Sequence, residues 1–232
     1  MKVAILFSGG KDSVYAVENA LQKKWDINYL LSIKPSRTDC YLFHFGGVEA
    51  TPKIAKALGF RHIYAECDVA DPFSEARIVK EIVEKHPVDA LILGGVGLQV
   101  TQIKTLQQAL PETKVFVSHL GLDHEKIIEE MLEKRYEIRI AQFAVEGLTQ
   151  EWLGKKLDEE TFKELKNRSK KYGFHIGGEG GHYDTIVTDG PIFKKRLEIE
   201  FEKVKETEYS GYIKIKATKL VKKETQRERW VE

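Results

Sequence analysis

Cysteine is scarce: the 232 residues hold two, Cys40 and Cys67. With no Cys-x-x-Cys and no second His/Cys pair at metal-ligand spacing, a disulfide scaffold and structural zinc are both disfavoured. An excess of charge is missing too. Lys+Arg number 37 against 36 Asp+Glu, so no basic field marks nucleic acid as the main partner, and a protein or small molecule is expected instead. Long apolar runs are absent: the stretch near Ala90 to Val100 is broken by glycines and falls short of a membrane span. Met1-Lys2 leads into a strand-like run instead of a signal peptide, which predicts a cytoplasmic protein with no membrane contact. Two methionines and a charged fraction of 31% lean toward a heat-adapted source.

What is present begins near the amino terminus. The apolar run Val3 to Phe7 is too short for a helix, and Val14-Tyr15-Ala16-Val17 opens a helical pattern; between them stands Ser8-Gly9-Gly10-Lys11-Asp12-Ser13. Glycines let bare backbone approach a ligand, and the following helix brings its first amides and the positive end of its dipole to the same spot. Lys11, Ser8 and Ser13 add donors suited to a triphosphate or pyrophosphate. A Walker loop does not fit, because Asp12 separates Lys11 from Ser13, and the dinucleotide fingerprint fails because Gly9 and Gly10 are adjacent. The hexapeptide instead resembles Ser-Gly-Gly-x-Asp-Ser, the signature of the PP-loop ATP pyrophosphatases. That resemblance implies a loop holding the β and γ phosphates while the α phosphate is attacked and pyrophosphate leaves. Lys11 is then expected to face solvent when ATP is absent.

Short apolar runs alternate with helical patterns through Val115 to Ser118, which predicts a parallel α/β sheet with ligands at the carboxyl ends of its strands. Residues 1–123 form the expected PP-loop ATP-binding domain of Rossmann-like type. After Asp123 the pattern changes, and 124–220 read as a smaller α+β domain with helices at Glu125 to Lys134 and Asp158 to Tyr172 and strands near Tyr136, Tyr183, Leu197 and Tyr212. No linker marks the boundary, which predicts a continuous interface with a cleft. Residues 221–232 read as a charged tail. At this length no glutaminase domain is expected, so ammonia would come from solution.

A second glycine-rich element, Gly177-Gly178-Glu179-Gly180-Gly181-His182-Tyr183-Asp184-Thr185, places carboxylates beside open backbone amides, where they can hold Mg²⁺ or an attacking amine; a plain turn has the same composition. Together with Ser8 to Ser13 and Glu146-Gly147-Leu148-Thr149-Gln150-Glu151-Trp152-Leu153-Gly154, it resembles the diphthine-ammonia ligase family from Met1 to about Ile215.

That resemblance implies an enzyme that uses ATP to adenylate diphthine, a modified histidine on translation elongation factor two, and lets ammonia displace AMP; a homodimer is plausible by the same likeness. It implies ATP-binding roles for Ser8, Gly9, Gly10, Lys11, Asp12, Ser13, His44 and Gly95, and catalytic roles for Lys11, Asp12, Glu179 and Asp184. Gly147, Trp152, Glu179, Gly180, Gly181 and Thr185 are implied on the substrate side, and Asp12 as a Mg²⁺ ligand. Departures from the family pattern fall at Gly47, Leu98, Thr101, Leu120 and His182, with Ser118-His119-Leu120 where Pro-Leu-Trp is usual. Three readings remain open at this stage: the ligase itself, a paralogous PP-loop enzyme activating a different acyl or carbonyl group, and a non-catalytic nucleotide-binding module.

Overall fold

The computed structural model describes residues 1–36, 47–97 and 100–223. The first sheet is built from β1 (Lys2–Leu6), β2 (Asp26–Pro35), β3 (His62–Cys67), β4 (Ala90–Leu93) and β5 (Lys114–Val117), all parallel, in the order β3-β2-β1-β4-β5. Between them run α1 (Lys11–Gln22), α2 (Thr51–Leu58), α3 (Pro72–Lys85) and α4 (Val100–Ala109). β1 alternates in the period-two manner of a strand covered on both faces: Val3 and Ile5 join a core with α1 and α2, while Ala4 joins a core with α3 and α4. The chain leaves β1 toward β2 and later crosses back to β4. The point where strand order reverses therefore lies beside the end of β1, where α/β sheets place their ligands.

α5 (His124–Glu133) leads into a second sheet made of β6 (Glu137–Ala144), β7 (Lys156–Leu157), β8 (Tyr183–Asp189), β9 (Arg196–Lys205) and β10 (Ser210–Val221), all antiparallel; α6 (Glu159–Tyr172) connects β7 to β8. Asp158 caps α6 by accepting from the Thr161 amide at 2.8 Å, and Gly173 ends it in the left-handed region. This sheet packs on the α1–α2 side of the first one. A single apolar cluster runs from Val3, Ile5 and Val17 through Ile127 and Met131 to Ile138, Phe143 and Ile186. Backbone hydrogen bonds cross the seam, from the Val187 amide to the Gly9 carbonyl (2.9 Å) and from the Lys194 amide to the Ala57 carbonyl (2.8 Å).

α1 begins at Lys11, three residues before the apolar periodicity starts at Val14. Gly10 is its cap in extended conformation, so the polar Lys11-Asp12-Ser13 forms the first helical turn. Among the described residues no helix is long and apolar enough to cross a membrane.

Candidate functional site

The loop between β1 and α1 is shaped by close approaches on two sides. Gly9 is left-handed (φ +77°), and a Cβ there would lie 2.8 Å from Ile54 Cδ1; at Gly94, beyond the end of β4, a Cβ would lie 2.6–2.8 Å from the backbone of Asp12 and Ser13. Inside the loop the Ser13 hydroxyl donates to the Gly10 carbonyl at 3.0 Å, and the Ser8 and Ser13 hydroxyls lie 3.3 Å apart. Thr185 reaches over from β8: its Oγ1 accepts the Lys11 amide at 3.0 Å. The helix start, the hydroxyls and the lysine are collected at the carboxyl edge of the sheet, a donor set that fits phosphate.

Lys11 does not face solvent. Only 3% of it is exposed, and its Nζ donates to Asp12 Oδ2 at 2.9 Å and to the Gly177 carbonyl at 2.6 Å. The expectation of an open, solvated lysine is corrected: the glycine turn of the second unit folds over the loop and supplies the carbonyl that water would otherwise provide. Burial pushes the ammonium toward neutrality, but the neighbouring Asp12 carboxylate, with Tyr183 and Glu179, more than reverses this and holds Lys11 above the usual lysine range. Burial likewise raises Asp12, and the Lys11 ammonium, with the His124 imidazole beside it, holds it well below the usual carboxylate range.

Two histidines absent from the expected site stand at its centre. His119, in the turn after β5, and His124, the first residue of α5, bring their Nε2 atoms within 3.5 and 3.1 Å of Asp12 Oδ1. His124 Nε2 also lies 3.5 Å from Glu179 Oε1. The Gly95 amide donates to His119 Nε2 at 2.9 Å, which sets Gly95 at the edge of the same cluster. His175 stacks edge-on against His124 with ring centroids 5.3 Å apart, and its own amide donates to His182 Nδ1 at 3.1 Å. Burial, followed by the charges of His124 and Lys11, lowers the pKa of His175. The sequence carried one signal for this cluster: His119 sits in the Ser118-His119-Leu120 departure from the family pattern.

Ser8, Gly9, Gly10, Lys11, Asp12, Ser13, Gly95, Glu179 and Thr185 are thus drawn together. Asp184 precedes Thr185 on β8 and pairs in register with Gln142. Gly180 and Gly181 form the exposed tip of the turn. Gly147 and Trp152 lie in the second unit: the Gly147 carbonyl accepts from Arg168 at 2.8 Å, and buried Trp152 is covered by Lys155 and Arg168. Among the departures, Leu120 is exposed, Thr101 lies on the outer side of α4, and Gly47 precedes a short 3₁₀ turn. His44, Leu98 and the tail from 224 onward lie outside the described residues.

Comparison with known proteins agrees with this layout. Residues 1–109 match the diphthamide synthase N-terminal domain and 123–221 match the diphthamide synthase C-terminal domain. A human protein named diphthine–ammonia ligase is 27% identical over 88% of this chain and 85% of its own length. Its zebrafish counterpart is 27% identical over 86% of this chain and 87% of its own length. A fission-yeast protein of the same name is 29% identical over 94% of this chain, which spans 39% of that longer protein. The two domain matches follow one another along the chain and together cover most of it, and the chain belongs to the diphthamide synthase family, the diphthine–ammonia ligases.

Proposed function

We propose that this protein is an ATP-dependent acid–ammonia ligase that adenylates the carboxylate of diphthine on translation elongation factor two in the cytoplasm. A carboxylate oxygen attacks the α phosphorus, the bond to the β-phosphate oxygen breaks, and pyrophosphate leaves. Ammonia then attacks the acyl carbon, AMP departs with the carboxylate's former oxygen, and the amine sheds a proton to water or a nearby base. The observation that carries this reading is the junction of both glycine motifs in one place, through Lys11 Nζ to the Gly177 carbonyl and the Lys11 amide to Thr185.

In this reading Ser8, Ser13 and Lys11 hold the outer phosphates, and the ammonium neutralises charge that builds on the leaving pyrophosphate. Mg²⁺ accompanies the nucleotide, and Asp12 is the residue that would hold it beside the phosphates, a donor set of one carboxylate and phosphate oxygens that suits the ion. Glu179 and Asp184 flank the position from which ammonia approaches. Ammonia is drawn from solution, and a homodimer is the assembly favoured by the general frequency of twofold symmetry.

The test is to incubate the purified chain with ATP, ammonium and diphthine-bearing elongation factor two, and to follow nucleotide products and the mass of the modified peptide. AMP, pyrophosphate and conversion of acid to amide are expected; ADP and inorganic phosphate would refute the reading. A second reading, activation of a different acyl group by the same chemistry, draws on His119 standing beside the loop where the family pattern has none. AMP and pyrophosphate formation that requires another carboxylate, with diphthine left unchanged, would favour it.

A further inference from the structure

We infer that Asp12, His119 and His124 form a binding site for a divalent transition-metal ion, zinc being the best match, with Glu179 as a fourth ligand. The inference goes beyond the proposed activity and concerns the nucleotide-free protein; the Mg²⁺ role proposed for Asp12 belongs to the ATP-bound state.

The distances suit such an ion. Zinc bound to nitrogen and oxygen at about 2.0–2.1 Å in a tetrahedron separates neighbouring donor atoms by about 3.3 Å. Here Asp12 Oδ1 lies 3.1 Å from His124 Nε2 and 3.5 Å from His119 Nε2, and His124 Nε2 lies 3.5 Å from Glu179 Oε1. The three donors of Asp12, His119 and His124 all fall within 4.8 Å of one another.

Donor chemistry points the same way. Two imidazoles and carboxylates favour a borderline first-row ion, whereas Mg²⁺ and Ca²⁺ select oxygen. His119 holds the tautomer that ligation needs: Nε2 accepts the Gly95 amide and so carries a lone pair, while Nδ1 pairs with Ser118 Oγ at 2.5 Å. Orientation of a ligating imidazole by a partner on its other nitrogen is the usual outer support of a metal site. The ion would compete with the Gly95 amide for that lone pair. The side chains of His119 and His124 are 0% and 1% exposed, while Asp12 at 26% leaves a way in.

The ligands arrive from four separate places: the first turn of α1, the turn after β5, the start of α5 and the glycine turn before β8. Bound there, the ion would pin the phosphate loop to both flanking turns. The competing account is a proton in place of the metal, an imidazolium at His124 shared between Asp12 and Glu179.

The two accounts separate when tag-free, nucleotide-free protein is titrated with Co²⁺ in excess Mg²⁺, reading visible d–d absorption and thermal melting. Expected are one Co²⁺ per chain with the intense bands of a tetrahedral nitrogen-containing site, displacement by Zn²⁺, and a higher melting temperature. Affinity should collapse in His119→Ala and His124→Ala and fall about 10–100-fold in Ser118→Ala, the range typical for loss of an outer partner. Weak octahedral spectra, displacement of Co²⁺ by Mg²⁺, or unchanged uptake in folded His119→Ala and His124→Ala would overturn the site. Should the histidine variants fail to fold, the spectrum of the parent and the Ser118→Ala titration still decide. ATP binding measured separately in Mg²⁺ distinguishes the two readings: ATP bound without Co²⁺ uptake sinks only the metal site, and the reverse sinks only the nucleotide reading.

Discussion

The ammonium of Lys11 rests 2.6 Å from the backbone carbonyl of Gly177, which lies 166 positions further along the chain. One contact thus ties the phosphate loop to the glycine turn of the second unit. Lys11→Met should lower stability as well as turnover, because Asp12 loses its counter-charge. Asp12 is a quarter exposed, so a cost of roughly 2–3 kcal/mol is expected, below the 3–5 kcal/mol of a fully buried pair. Urea denaturation of the nucleotide-free protein measures it, and an unchanged midpoint would contradict the contact.

Thr185 acts through one hydroxyl. Thr185→Val keeps the shape but leaves the buried Lys11 amide without its acceptor, a loss of about 1–3 kcal/mol. Thr185→Ser should retain most of the stability and the affinity for ATP. Equal behaviour of the two variants in thermal melting and nucleotide titration would show that the hydroxyl is idle.

Gly94 is a sharper probe of the loop. An added methyl would meet the Asp12 carbonyl and the Ser13 amide at 2.7 and 2.8 Å, backbone atoms that cannot swing away. Gly94→Ala is expected to displace the first turn of α1, cost about 1–3 kcal/mol in strain, and weaken ATP binding more than Gly121→Ala. The same substitution at Gly121 meets open space, although its φ of +74° adds modest strain.

His62 gives the fold a pH dependence. Burial pushes its pKa down from 6.5 to about 4. The Ser32 hydroxyl donates to the Phe7 carbonyl at 2.5 Å, leaving its oxygen to accept from the neutral His62 Nε2–H at 2.8 Å. The unfolded chain then binds a proton that the folded chain refuses, so this contribution is complete above pH 6.5 and is lost as pH falls toward 4. Unfolding free energies of wild type and His62→Gln, compared from pH 7 to 4, should converge toward the acid end; parallel curves would rule the effect out.

Much of this was legible in the sequence. Short apolar runs alternating with helical periods announced the parallel sheet, and Ser8 to Ser13 announced the loop, because both signals are local in the chain. The start of α1 was misplaced, since Lys11, Asp12 and Ser13 are polar and leave no trace in apolar periodicity. The burial of Lys11 was invisible for a different reason: its lid, Gly177, lies in the turn before β8, far away along the chain. The histidine cluster escaped because metal-ligand spacing rules search short windows, whereas Asp12 and His124 stand 112 residues apart.

The apolar cluster shared by both sheets has a mechanical consequence. Val17, Met131 and Phe143 belong to the same interior, so severing the chain in the turn after β5 would leave each fragment with a raw greasy wall and no partner. Neither piece should survive alone in water, and the intact molecule should melt in a single step by calorimetry. Wide hinge-like separation of the two sheets would bare that shared wall to water, so the molecule is expected to stay one body while its ligands come and go.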